Sequence, residues 1–230
     1  MPSGQFNYLF RTNMPVNDTT YAYDTLMSFI RNRSAEAGMP YSQIPPSDAD
    51  IHMLDISLDN PFDSKSDNAK ERAFWADPAH ASLGEYLNWP IGFAGILPPT
   101  LYPSSLVYSM SADDGEVWKQ DQLPQRLKTA HDWLNTPHSS GKVLLIVVHC
   151  QAGCDRTGEF VGSWRMLFQN ANVKDMFAKD VVECTRPPNY FSVSGMEWFC
   201  DYLTLHRGIM PGNCTGFATC KPFGSCQPTQ

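Results

Sequence analysis

Apolar and polar positions divide this chain into short periodic runs separated by Pro- and Gly-rich breaks. The strongest run is Val143 to Val148, apolar throughout and bounded by Gly141 and a polar loop. Such a run predicts a strand buried on both faces. A compact polar turn follows, His149 to Arg156, and then Phe160, Val161, Trp164, Leu167 and Phe168 recur at helical spacing. Upstream, residues 1–16 read as an irregular lead-in. A helix is predicted from Asn17, capped there or at Asp18, with Tyr23, Leu26, Met27 and Ile30 inward and Gly38 and Pro40 as its stop. Tyr41 to Asp50 reads as a loop and Ile51 to Ile56 as a short strand. A helix through Trp75 is capped by Ser66 or Asp67, and another runs from His80 to Trp89. Pro90 to Pro103 is a loop and Ser105 to Met110 a strand. Asp121 caps a helix that runs to Leu134 with Leu123, Leu127 and Ala130 on one side. Later helices cover Val173 to Glu183 and about Ser194 to His206, separated by a Pro187-Pro188 loop.

Strands alternating with helices predict an α/β fold: a central, mostly parallel sheet flanked by helices, with the polar turn at the carboxyl end of a central strand. No internal repeat is present. Residues 1–208 read as one domain, with 105–208 as the half that carries the polar turn and 1–100 unassigned, followed by a Cys/Gly/Pro-rich tail, 209–230. With 230 residues and 42% apolar content the chain can bury one sizeable core. A net charge of −7 argues against general nucleic-acid binding. No segment approaches the ~20 apolar residues of a membrane span, and MPSGQFNYLF lacks the basic start and apolar run of a signal peptide. Three of the seven cysteines sit in the tail, which has little apolar content to fold on. Disulfides would hold it, which favours an oxidising compartment over a reducing one. Sequons at Asn17, Asn32 and Asn213 agree with that weakly.

The turn at 149–156 carries the chemistry. A strand, a tight loop and a helix N-terminus present backbone N–H groups to an anion. The helix dipole, those N–H groups and Arg156 all favour the thiolate of Cys150. Arg156 can grip two phosphate oxygens, while Gln151, Ala152, Gly153, Cys154 and Asp155 supply the rest of the cradle. Gly153 lets the backbone turn closely around a ligand. Attack by sulfur gives a phosphocysteine that water then cleaves, and the Thr157 hydroxyl can stabilise the departing thiolate.

The run His149-Cys150-Gln151-Ala152-Gly153-Cys154-Asp155-Arg156-Thr157-Gly158 resembles the HCxxGxxR[ST]G signature loop of the cysteine-based protein tyrosine phosphatases. The resemblance implies phosphate-monoester hydrolysis without a metal or other cofactor. It makes Cys150 the nucleophile, Arg156 the phosphate ligand, Thr157 the aid to hydrolysis and His149 the residue that orders the loop. The family's general acid is an Asp some thirty to forty residues before the Cys. Asp114 and Asp113 lie there, with Asp114 ahead of Asp113 and with Asp155 and Asp121 behind both. Trp89-Pro90-Ile91-Gly92-Phe93 looks like the family's Trp-Pro-Asp loop but carries Ile91 in place of the acid, and reads as coincidence or pocket wall.

A loop ending in Asp155-Arg156-Thr157-Gly158 is also similar to those of bacterial triple-specificity and inositol-lipid phosphatases, in which the loop Asp can serve as acid. The alternative is that Asp155 only orients Arg156 or a neighbouring loop. The implied partner is a phosphorylated protein or lipid. Phosphotyrosine-type substrates with broad tolerance come first, because the variable loop positions add no charge for extra phosphates. Tyr102, Trp118 and Tyr190 line a pocket or belong to the core, and Arg31-Asn32-Arg33 faintly matches the family's phosphotyrosine-recognition loop. The rivals are a phosphoinositide phosphatase, a silent phosphate-binding module and a thiol redox or arsenate-reducing enzyme. Cys154 either bridges Cys150 under oxidation or packs or pairs elsewhere.

Overall fold

A computed structural model describes residues 7–36, 44–60 and 62–229. Its chain divides into two compact units. The first takes the described residues up to Trp89 together with Lys128–Gln151; the second takes Pro90–Leu127 and the residues from Ala152 onward.

The first unit is built on a parallel sheet of strands β1 (Tyr8–Asn13), β2 (Ile51–Ser57), β3 (Gly84–Asn88) and β4 (Val143–Cys150), in the order β1-β4-β2-β3. All eight residues of β4 are buried, as an unbroken apolar run in an interior strand requires. Helix α1 (Tyr23–Glu36) lays Tyr23, Leu26, Met27 and Ile30 against Met53, Leu145 and Val147 on one face of that sheet. Helix α2 (Lys65–Ala76) adds Phe74 and Trp75 to the same core, where Phe74 and Trp75 pack on Tyr21 and Tyr23.

The second unit is helical, with α3 (Ser104–Met110), α4 (Trp118–Asp121), α6 (Asp155–Phe168), α7 (Val173–Cys184) and α8 (Tyr190–Tyr202). Helix α5 (Leu123–Asn135) begins here and ends in the first unit. A π-helical turn, Leu203–Arg207, extends α8. The tail forms a two-stranded antiparallel ribbon, β5 (Ala218–Cys220) with β6 (Cys226–Pro228). Disulfides Cys200–Cys214 and Cys220–Cys226 secure it, and Phe217 packs on Phe177 of α7. Among the described residues no helix is long and apolar enough to cross a membrane.

The sheet, its parallel order and the strand–turn–helix at Cys150 agree with the sequence reading; several elements do not. Residues 8–13, read as lead-in, form an edge strand, because β4 offers them a partner. The first helix starts at Tyr23, and Asn17 instead closes a local turn by accepting the N–H groups of Thr19 and Thr20. Its expected stop, Gly38 and Pro40, lies outside the described residues, as does the start of the Tyr41–Asp50 loop. Helix α2 begins at Lys65, two residues before Asp67, after Ser64. His80–Trp89 is a 3-10 turn, Pro78–His80, followed by strand β3. Gly84 permits that pairing, since a Cβ there would collide with the Met53 backbone. Ser105–Met110 is helix α3, in which Pro103 accepts the first helical N–H bonds, and among the described residues no strand pairs with it. Helix α8 begins at Tyr190, capped by Asn189.

Candidate active site

In the first unit, strand pairing brings the start of the signature to the carboxyl end of β4. The N–H of Leu58 donates to His149 O and that of Met14 to Gln151 O, so chains on both sides of β4 hold it past its last residues. His149 is fully buried. Its Nε2 stands 2.8 Å from Glu71 Oε1 and 3.2 Å from Asp55 Oδ1, and both carboxylates are also without solvent exposure. Trp75 donates its indole N–H to Asp55 Oδ2 at 2.7 Å. Burial alone would lower the His149 pKa, but Asp55 and Glu71 together raise it to about 10, so the ring is an imidazolium at neutral pH. Glu71 moves up to about 7, chiefly through burial and against the pull of His149. Cys150 is buried and is the one cysteine outside a disulfide.

In the second unit, Gly153 turns the chain at φ +67° and α6 starts at Asp155 with no side-chain cap. Arg156 is half-buried, and a Cβ on Gly92 would sit 3.5 Å from its Nε. The Trp-Pro-Ile-Gly-Phe stretch therefore supplies a wall for Arg156, while Ile91 is fully buried. Asp121 holds that wall. Buried, it accepts the N–H groups of Gly92, Phe93 and Ala94 at 3.2, 3.1 and 2.8 Å. It is the last residue of α4 rather than the cap of the next helix. Burial raises its pKa and those three bonds oppose the rise. Thr157 is fully buried.

Asp155 accepts two bonds from Arg186, at 2.9 and 2.6 Å, and the N–H of Asn189 at 2.8 Å. It thereby anchors the Pro187-Pro188 loop. Cys154 is bridged to Cys184, with their Cα atoms 5.6 Å apart, so its partner is not Cys150. Two residues of the signature are thus tied to the segment between α7 and α8. Among the other acids, Asp113 accepts the Tyr202 hydroxyl at 2.7 Å and lies 3.6 Å from Arg207, and both it and Asp114 are exposed on the turn after α3. Gln151 and Ala152 are exposed; Gly153 and Cys154 are buried. Trp118 is core, packed on Phe199 and Tyr202. Tyr102 stacks near Trp198 and Tyr190 near Phe191 and Phe223. Arg31 binds Asp48 and the Pro45 carbonyl.

Asp55 and Glu71 escape sequence reasoning, and Asp121 is singled out there only as a helix cap and as a candidate acid. The one available signal is an acid inside an apolar strand, Asp55 in IHMLDI, which asks for a buried partner. Among the described residues Asp55, Glu71 and His149 are also the group whose ligand atoms cluster most like a metal site, within 4.8 Å of one another. The direct Nε2-to-oxygen separations and the Trp75 bond describe a charged trio in ion-pair contact.

Residues 110–206 match the family model described as protein-tyrosine phosphatase. Among solved structures, the crystal structure of Tk-PTP in the G95A mutant form is similar at 18% identity, covering 70% of this chain and 81% of that one, with a TM-score of 0.33.

Proposed function

We propose that this chain hydrolyses phosphate monoesters through a phosphocysteine, with phosphotyrosine-type substrates first and dual specificity within its range. One observation carries the reading: six of the seven cysteines are bridged, and the one outside a disulfide is the cysteine of the signature, buried where β4 ends. A thiol kept out of disulfides at a strand end just before a helix N-terminus retains its sulfur for nucleophilic chemistry. The family match over 110–206 supports phosphatase activity on a phosphorylated substrate.

In this mechanism Cys150 attacks phosphorus as the thiolate. Arg156 and the loop N–H groups of 151–156 hold the three equatorial oxygens, on which charge develops. The ester oxygen leaves with a proton from Asp114, since its neighbour Asp113 is engaged by Tyr202 and Arg207. Water then cleaves the phosphorus–sulfur bond, and Thr157 stabilises the departing thiolate. Asp155, engaged by Arg186, keeps the loop in place.

The test is turnover of an aryl phosphate, a phosphotyrosyl peptide, a phosphoseryl peptide and an inositol-lipid panel by the wild type and by Cys150→Ser. Vanadate-sensitive turnover lost in Cys150→Ser supports the reading. Inactivity of clean protein, with Cys150 reduced, on every substrate overturns it in favour of a phosphate-binding module. Preference for the lipid panel selects the phosphoinositide alternative.

A further inference from the structure

The trio of Asp55, Glu71 and His149 lies directly behind the nucleophile in the chain, and the mechanism above leaves its two acids unused. Its construction is specific. Asp55 and His149 point to the same face of the sheet, because Asp55 pairs with Val147 and Ser57 with His149 in the parallel register. Glu71 comes from α2, which covers that face through Phe74 and Trp75. The ring is therefore gripped from two elements, at 3.2 Å from the strand and 2.8 Å from the helix. All three side chains are without solvent exposure. A buried acid pair is costly unless it holds something, and what these two hold is the residue bonded to Cys150.

We propose that Asp55 and Glu71 are positioning residues for Cys150, clamping the His149 ring from the sheet and from α2, and that Glu71 sets how much negative charge stands behind the nucleophile. The proposal rests on the phosphocysteine reading. With all three groups ionised the trio carries one net negative charge; with Glu71 neutral it carries none. Negative charge behind Cys150 opposes the thiolate, and removing it favours the thiolate. Trp75 donates to the second oxygen of Asp55, which gives that carboxylate a neutral partner besides His149. Burial, the largest influence on Glu71, moves its titration to about 7, into the range in which the enzyme would work. The other groups facing the trio are Tyr21, whose pKa Asp55 and Glu71 push further up, and Tyr86 of β3 with Arg72 of α2 beside it. Tyr21 and Tyr86 both titrate above the ordinary tyrosine range and stay neutral here, so Glu71 is the variable member.

The experiment is the pH dependence of Cys150 alkylation by iodoacetamide, followed by mass spectrometry with the disulfides intact. It is run on wild type, Glu71→Gln, Asp55→Asn and, as a surface control of equal charge change, the exposed Glu85→Gln. Glu71→Gln and Asp55→Asn should move the alkylation profile and the acidic limb of kcat/KM to lower pH by about 1–2 units. That is the effect of one buried charge acting over roughly 6–10 Å at an effective dielectric of about 20. Glu85→Gln should leave both in place. Profiles that superimpose, or that move upward, overturn the proposal. If wild type alkylates as expected but turns over no phosphate ester, the phosphatase reading fails and the alkylation series still judges the clamp. Should the core variants not fold, the wild-type His149 ring resonances decide. They should step as Glu71 titrates near neutrality, and a flat response between about pH 5 and 9 sinks the idea.

Discussion

Asp155 has two candidate duties, general acid or anchor of the loop before α8, and one pair of substitutions separates them. Its carboxylate accepts two N–H bonds from Arg186 and one from the Asn189 backbone. Arg186 is 44% exposed, so the ion pair is screened and contributes at most about 1 kcal/mol. The Asn189 bond, made to a charged acceptor that is only 19% exposed, adds about 2 kcal/mol. Asp155→Ala should thus destabilise by about 3 kcal/mol, lowering Tm by roughly 6–12 °C in a protein of this size. Asp155→Asn keeps an oxygen for Asn189 and should cost about 1 kcal/mol. Scanning calorimetry reads the stabilities, and aryl-phosphate turnover against pH reads the chemistry. If Asp155 is the anchor, Asp155→Asn retains turnover within about tenfold and keeps the basic limb of the profile. A general acid contributes about 100-fold or more. Loss of that size in Asp155→Asn, with the basic limb gone and Tm unchanged, would refute the anchor.

Asp114→Asn should lower turnover about 100-fold or more and flatten the basic limb, whereas Asp113→Asn, whose group serves Tyr202 and Arg207, should keep the limb. Cys184→Ser opens the 30-residue loop closed by Cys154 and should cost about 3–4 kcal/mol in denaturant unfolding; wild type and variant unfolding at the same midpoint would contradict it. Gly153→Ala places a Cβ at φ +67° and should cost about 1–2 kcal/mol and reduce turnover. Glu197 is raised to about 7, first by burial and then by Asp201. The folded state therefore holds a proton that the unfolded state releases near 4.5, and stability falls as pH rises from there through 7. Glu197→Gln should match wild type near pH 4 and exceed it at pH 8 by on the order of 3 kcal/mol, as equilibrium unfolding at the two pH values would show.

Local order is enough to place the turn at 149–156. An apolar run of six residues, a polar turn with a glycine and a helical repeat after it specify strand, loop and helix from neighbours in the chain. The helix of α7 was legible on the same ground, as was the need of the tail cysteines for partners. What escaped depends on residues distant in sequence. β1 is a strand because β4 lies beside it, and Ser104–Met110, with which no strand pairs among the described residues, is a helix. His149 acquires its charge from Asp55 on β2 and Glu71 on α2, and Cys154 its bond from Cys184. Asp155 is given to Arg186, and Asp121 to the N–H groups that form the wall of Arg156. Covalent order alone places Cys150, Arg156 and Thr157 at their intervals on one short loop. Burial and long-range contacts decide which acids are neutral, paired or exposed, because a carboxylate's state depends on solvent and charge within a few ångströms, whatever its place in the chain.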